Sequence, residues 1–505
     1  MLAVFQFDAV SVPLVQRLLD EGRLPTLAGL RSRGRWLDLE TPATHFPAAA
    51  YFTLYSGVRV ADHGMYHLFQ WSPDQQRVLW REEFPSPVTV WERMAGSGKK
   101  ALVVDAYEST PPRSLSGVAL SGWQFVNILS LHRWSYPDSA HSELARLFGR
   151  PRRLEEVFGK PSARGLVKLR RHLFEATNRL VEGTLHLLRR DSFDLVWVAF
   201  LASHLGGHML WDLSQIDAER LDQRARTALE HALTDIYEDV DRGLGRLIAA
   251  LPEDADVIVT APSGMGENMI RVDLLPGMLE AVLSGNGAAR GNGAQSRGER
   301  FIWRLRAAVP ASARAKVSAA LPGTLSRELT MRLTSVGVDW SKTPAFLLPS
   351  DHFGQVRFNV RGRERDGIVD PAQVDDLACQ LQVGLSSFRD PDGRPAVVSV
   401  DRTQDVVGEG KRVGLLPDLV VRWREGDASH IDHVSSPEHG VVVRHGSGTG
   451  RSGAHLPQAW AVVVPQASVE VRNDSPSIGD LVPTACAVLD IEAADLPGSP
   501  LLARR

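Results

Sequence analysis

His204 and His208 stand four residues apart in LASHLGGHMLWD, directly after an apolar run. Residues at i and i+4 share a helix face, so one helical turn there lets both imidazoles reach a single cation. Against that, the intervening Gly206-Gly207 pair lowers helix propensity, and two hydrogen-bonded loop histidines have the same spacing. The pair alone decides nothing, because a zinc site needs a third protein ligand. The best third candidate is His455 in GRSGAHLPQAWAVVV, which a Gly-rich loop presents just before a strand. Spacing alone does not raise it above His439 or His445. Two further segments carry polar groups of interest: Asp8, ending the run LAVFQF, and residues 262–268, PSGMGEN.

These segments need elements to position them. In open parallel sheets, ligands gather beyond the carboxyl ends of the strands. Asp8, the histidine pair and PSGMGEN each follow a short apolar run of the kind a buried parallel strand requires: Leu2–Phe7, Asp194–Phe200 and Asp256–Thr260. Similar runs occur at Ala101–Asp105, Leu419–Trp423 and Ala459–Val464. Helical patterns fall between them, at Leu14–Arg33, Val88–Ala95 and Ala218–Ala250, the last ending at Pro252. Alternating strands and helices predict an α/β fold with a mostly parallel sheet.

Two regions interrupt the alternation. Residues 130–190 contain the basic amphipathic stretch ARGLVKLRRHLFEATNRLVEGTLHLLRR, which reads as a solvated helical face rather than a membrane or nucleic-acid surface. Residues 284–299 are rich in Gly, Asn and Ala and predict a flexible loop, followed to 345 by a weakly periodic helical cap.

The totals exclude several function classes. The chain has 505 residues, 43% hydrophobic and 23% charged, which suits a globular protein of one large domain with insertions, or two. A formal net charge of -3 gives no basic field for nucleic acid or anionic membrane. No apolar run reaches the ~18 residues that span a bilayer, and MLAVFQFDAV lacks the basic flank and cleavage site of a signal peptide. Two cysteines, Cys379 and Cys486, argue against a disulfide framework and fit a reducing compartment, so a cytoplasmic location is expected.

The segments resemble, in order, those of the type I phosphodiesterase/nucleotide pyrophosphatase family of the alkaline phosphatase superfamily. FDAVSVPLVQRLLDEGRLPTLAGLRSRG resembles its opening strand, metal-binding Asp and helix. YFTLYSGVRVADHGMYHLFQW, VDRGLGRLIAALPEDADVIVTAPSGMG and GQVRFNVRGRERDGIVDP resemble three internal segments. RSGAHLP and IGDLVPTACAVLDIEAADLPGSPLL resemble the late metal loop and the ending. The resemblance implies an alkaline-phosphatase-like three-layer α/β fold. Its core would be residues 1–129, 191–283 and 346–505, with 130–190 as helical insertion and 284–345 as flexible loop and helical cap.

The resemblance also implies a metal site at His204, His208 and His455, with His204 replacing the family's Asp. Three histidines suit zinc and leave a fourth position open. The second site departs from the pattern. Asp8 is kept, but the nucleophile position falls on Pro47 and the Asp-His pair on Pro262 and Ser263, so one ion rather than two is expected. Thr44 is a candidate replacement nucleophile, against a plain turn or capping role; His63 is expected to turn the chain after a helix. Asp8 is a candidate base or orienting group, and Arg451 and Asn268 are candidate substrate contacts. Arg357, Arg361 and Arg363 would bind an anion only if they face the pocket. The implied activity is zinc-dependent hydrolysis or transfer on a phosphate-type ester with a small anionic substrate. The alternatives are an inactive or repurposed binding protein on the same scaffold, or a lyase or transferase of specialised metabolism.

Overall fold

Leu2–Phe7 is buried at all six positions, and so are Leu195–Phe200 and Asp256–Ala261. Strands apolar on both faces belong in the middle of a sheet covered by helices. The computed structural model, which describes residues 1–127, 132–154, 161–214, 216, 221–284, 338–445, 450–465, 469–472 and 475–504, places them side by side.

In chain order the strands used below are β1 (Leu2–Phe7), β2 (Arg35–Leu39), β3 (Ala101–Val104), β4 (Gly117–Ser121), β5 (Trp134–Tyr136), β6 (Leu195–Phe200), β7 (Asp256–Ala261), β8 (Gly264–Glu267), β9 (Ala345–Leu347), β10 (Gly354–Phe358), β11 (Val397–Arg402), β12 (Leu419–Trp423), β13 (Gly453–Leu456) and β14 (Ala459–Val464). The helices are α1 (Val12–Asp20), α2 (Ala49–Ser56), α3 (Ala163–Arg190), α4 (Ala202–Leu210) and α5 (Ala232–Ile248). The main sheet has eight strands in the order β2-β14-β7-β1-β6-β3-β4-β5. The five central strands, β7 to β4, are mutually parallel, and antiparallel strands close both edges. Helices flank it; α3 buries Leu166, Leu173, Ala176 and Leu180 in the sheet's core, with basic residues left outward.

A second core lies over a four-stranded antiparallel sheet, β9-β10-β12-β11, packed by Leu381 and Leu385 of the helix Val374–Ser386. This second lobe stands beyond the carboxyl ends of β1, β6 and β7.

Several expectations need correction. The runs at 419–423 and 459–464 are strands, but both are antiparallel, and the first belongs to the second lobe. Burial on both faces produces such a run whichever way the neighbours point. The single helix expected over Leu14–Arg33 is two, parted where Gly22 takes φ +70° and Pro25 starts the next. Gln223–Glu230 and α5 replace the one helix expected over 218–250, and Val88–Ala95 contracts to Val90–Arg93. The loop and cap expected over 284–345 lie outside the described residues except at 284 and 338–345, where a turn at Trp340–Lys342 leads into β9. Among the described residues no helix is long and apolar enough to cross a membrane.

Candidate metal centre

The carboxyl ends of β1, β6 and β7 bring together Asp8, the helix α4 and Ser263. Asp8 continues β1, its amide bonded to the Phe200 carbonyl at the end of β6. Directly after β6 the chain turns into α4. Gln124 secures that junction: its side-chain amide donates to the Ala199 carbonyl and its oxygen accepts from the Leu201 amide. Gln124 is itself held by the buried carboxylate of Asp105, which sits at φ +55° just past β3. Burial pushes the Asp105 pKa up to about 6.

His204 and His208 lie on one face of α4, and the Gly206-Gly207 pair is helical after all. The glycines serve packing. A Cβ on Gly207 would meet Met265 Cγ at 2.6 Å, and one on Gly453 would meet the Gly207 carbonyl oxygen at 2.3 Å. Only glycine lets β13 approach α4 this closely. The approach places His455, paired with Met265 in the β8–β13 ladder, beside the helix.

The three imidazoles converge through their Nε2 atoms. His204 Nε2 lies 2.9 Å from that of His208 and 3.0 Å from that of His455. Each Nδ1 points outward to a partner. His204 Nδ1 donates to Asp8 Oδ2, His208 Nδ1 donates to the Gly453 carbonyl at 2.8 Å, and His455 Nδ1 pairs with Ser263 Oγ at 3.0 Å. A neutral imidazole that donates from Nδ1 has only a lone pair at Nε2. Lone pairs of His204 and His208 therefore face each other at contact distance, an arrangement that repels unless a cation sits between them. Outward hydrogen bonding of this kind is the usual support for metal-bound histidine. Tetrahedral zinc with ligands at about 2.05 Å separates its nitrogens by roughly 3.3 Å, so the triangle needs only slight opening.

Electrostatics point the same way. Burial, with Arg451 and the other imidazoles nearby, holds His208 and His455 well below the ordinary histidine range. Both are thus neutral near pH 7, as metal ligation requires. Among the described residues one other group has suitable ligand atoms, Asp212, Asp427 and His430. It is surface-exposed, and its aspartates already accept bonds from Ser214 and Ser429.

A sequence profile described as "Type I phosphodiesterase / nucleotide pyrophosphatase" matches residues 2–447. The chain belongs to this family. Members of the type I phosphodiesterase/nucleotide pyrophosphatase family are phosphoric-ester hydrolases. The matched segment ends just short of His455. Among solved structures, phosphonoacetate hydrolase from Sinorhizobium meliloti 1021 in complex with phosphonoformate is 13% identical, covering 97% of this chain and 95% of its own, with a TM-score of 0.48. An inactive form of murine ectonucleotide pyrophosphatase/phosphodiesterase 5 in complex with AMP is 12% identical, covering 99% of each chain, with a TM-score of 0.47. Comparison with curated proteins gives no match.

Against the family pattern, the remaining candidates fall as follows. Asp8 is fully buried and both its oxygens are engaged, Oδ1 by Gln6 Nε2 at 2.9 Å and Oδ2 by His204. That places it behind His204, on the side away from the other two imidazoles. Ser263, standing where the resemblance sets a metal-binding His, orients His455 instead. Thr44 closes a short turn, Pro42–Thr44, and its hydroxyl donates to the Thr41 carbonyl at 3.2 Å. Thr41 in turn donates to the Pro262 carbonyl at 2.8 Å, which ties this turn to the end of β7. Asn268 spends its side chain on the backbone, donating to the Arg451 carbonyl at 2.8 Å and accepting from the Ile270 amide. These bonds tie it to the Arg451 backbone. The Arg451 charge acts on His208, His352, His455 and Asp351, which puts it near the centre.

Arg357 and Arg363 do not face the centre. Arg357 is buried against Glu364 and the carbonyls of Leu416 and Gly414, and Arg363 pairs with Asp418. Arg361 is exposed beside Asp370. His63 accepts from the Met65 amide and pairs with Thr53, a turn-stabilising place. The sequence reading missed Tyr107, whose ring packs edge-on to His204 at 5.0 Å, and the pair Asp351-His352. The His352 ring lies 4.6 Å from that of His455 and 6.0 Å from that of His208. Burial and the Arg451 charge hold its pKa down to about 3. No spacing links SDHF to the other histidines, so only tertiary structure reveals it.

Proposed function

We propose that the chain is a single-zinc hydrolase of phosphate-type esters, acting on a small anionic substrate. The observation that carries this reading is the convergence of three Nε2 atoms whose Nδ1 atoms all bond outward. His204, His208 and His455 would hold the ion, leaving a fourth position open. When bound, zinc supplies Lewis acidity and lowers the pKa of coordinated water from ~15.7 toward ~7. The remaining steps belong to the protein. Asp8 keeps the His204 proton on Nδ1, and Ser263 and the Gly453 carbonyl do the same for the other two rings. Arg451 supplies positive charge near the centre, which favours an anionic ester. Because Thr44 is committed to its own turn, water rather than a side chain is the attacking group. A single ion is supported by Pro47 and Pro262, which offer no side-chain ligand, and by Asp8 and Ser263, whose side chains are bonded to His204 and His455. Cys379 and Cys486 are both free, which supports a reducing, cytoplasmic location.

The test is zinc quantification on wild type and His208→Ala, with turnover of a generic aryl phosphodiester. About one zinc per chain in wild type, lost with the activity in His208→Ala, is the expected result. Equal zinc in both would remove His208 as a ligand. No zinc and no turnover in wild type would favour the alternative of a spent scaffold, to which the missing nucleophile and Pro262-Ser263 point.

A further inference from the structure

The second lobe extends residues 350–353 toward the metal centre, and three bonds fix that loop. Ser350 Oγ donates to the Phe353 carbonyl, and the Trp423 indole donates to the His352 carbonyl at 2.9 Å. Asp351 accepts from His67 Nε2 at 3.3 Å. The donor here is settled, because His67 Nδ1 already accepts from the Phe69 amide at 3.2 Å. The backbone on both sides of His352 is thus set before any ligand arrives.

So anchored, the His352 imidazole stands edge-on to His455, and its Nε2 is buried without a hydrogen-bond partner. Other buried side-chain atoms here also lack a partner, but this one stands beside a candidate metal site, where a bound group would supply it. His352 does not join the three histidines whose ligand atoms lie within 4.8 Å of one another. Zinc bonds of about 2.1 Å cannot bridge nitrogens more than ~4.2 Å apart, so His352 is set beside the three-histidine group rather than within it. Half of the Asp351 side chain stays solvent-accessible, so the loop runs from the protein surface to the buried histidines.

We propose that His352 is a substrate-contacting residue, donating from Nε2 to a phosphoryl or phosphonyl oxygen of the group held at the open position of the three-histidine ion. This rests on the single-zinc reading above. It makes the second lobe part of the active site: the main sheet holds the ion, and the lobe supplies the contact that recognises the anion bound to it.

The experiment uses zinc-loaded wild type, His352→Ala, His352→Gln and His208→Ala, checked for native circular dichroism. Zinc content and the number of imidazole ligands come from elemental analysis and X-ray absorption. Inorganic phosphate affinity comes from calorimetry, and KM and kcat from an aryl phosphodiester. His352→Ala is expected to keep one zinc and three imidazoles while its phosphate Kd rises at least tenfold. His352→Gln, which can donate from its amide, is expected to recover most of that loss. Phosphate affinity unchanged within twofold in His352→Ala would overturn the proposal. Loss of one imidazole from the zinc shell in that variant would also overturn it, by making His352 a ligand. Failure of the underlying reading shows differently, as wild type without zinc or His208→Ala that keeps it.

Discussion

Replacing Asp8 with Asn tests the orientation argument with one atom changed. Gln6 fixes what the new amide can do. Its oxygen accepts from Tyr55 at 3.0 Å and from the Trp197 indole at 3.2 Å, so its amide nitrogen must stay aimed at position 8. In Asp8→Asn, one orientation of the new amide sets NH2 against the Gln6 NH2. The other sets NH2 against His204 Nδ1, which forces the His204 proton onto Nε2 and blocks its lone pair. Either outcome works against the metal. Loss of such an outer partner usually costs 10–100-fold in metal affinity, about 1.4 to 2.7 kcal/mol. The assay is zinc Kd by competition with a chromophoric chelator at pH 7.5, with circular dichroism as a fold control. A tenfold or greater rise in Kd is expected with the fold intact. A Kd within twofold of wild type would refute the claim that Asp8 sets the His204 tautomer.

Three further outcomes follow from the same geometry. Gly453→Ala forces its Cβ off the Gly207 carbonyl oxygen, now 2.3 Å away; sites of this kind tolerate only about 0.5 Å of displacement, so zinc Kd should rise more than tenfold and the melting temperature fall. An unchanged Kd would show that the approach of β13 to α4 is not limiting. Thr44→Val should leave turnover within about twofold, since the hydroxyl serves its own turn; a hundredfold loss would make Thr44 the nucleophile. The metal-free protein should lose stability as pH falls below about 6.5, the ordinary histidine value. His63 and His352 have folded pKa values of about 3, and those of His208 and His455 are also lowered, so between these values and 6.5 the unfolded chain binds protons that the folded chain does not. Asp105 and Glu108, both raised to about 6, and Asp239 and Asp241, raised by burial, act in the opposite sense, but His45, His141 and His172 are lowered as well and the histidines outnumber the carboxylates. A melting temperature that is flat or rising from pH 7 to 5 in chelator-treated protein would contradict this sign.

Much of the scaffold was legible because full burial leaves a mark in composition. The runs at 2–7, 194–200 and 256–260 are mostly apolar, and the strands match them to within a residue. Strand direction leaves no such mark, so 419–423 and 459–464 read as parallel although both are antiparallel. β4 escaped because GVALS is short and starts on Gly117. In the site, His204 and His208 were visible through the period of a helix, whereas His455 rested on family likeness. Asp8 was found with two candidate roles, base or orienting group, which sequence leaves open: whether a carboxylate faces a substrate or the back of an imidazole depends on where α4 settles. His352 and Asp351 had no signal at all, since a loop of the second lobe meets the sheet only after both cores have packed.

β2, near the start of the chain, finds its sheet partner only in β14, more than 400 residues later, and β13, which carries His455, immediately precedes that same strand. Contacts so remote in sequence form late, because the intervening chain must first be gathered. During synthesis, then, the emerging polypeptide can organise β1, β3, β4, β6 and β7 while the candidate centre still lacks its third imidazole. A product ending before residue 453 would leave one sheet margin open to a neighbour and would carry two imidazoles where three are needed, so completion of the fold and readiness for the ion arrive in a single late event.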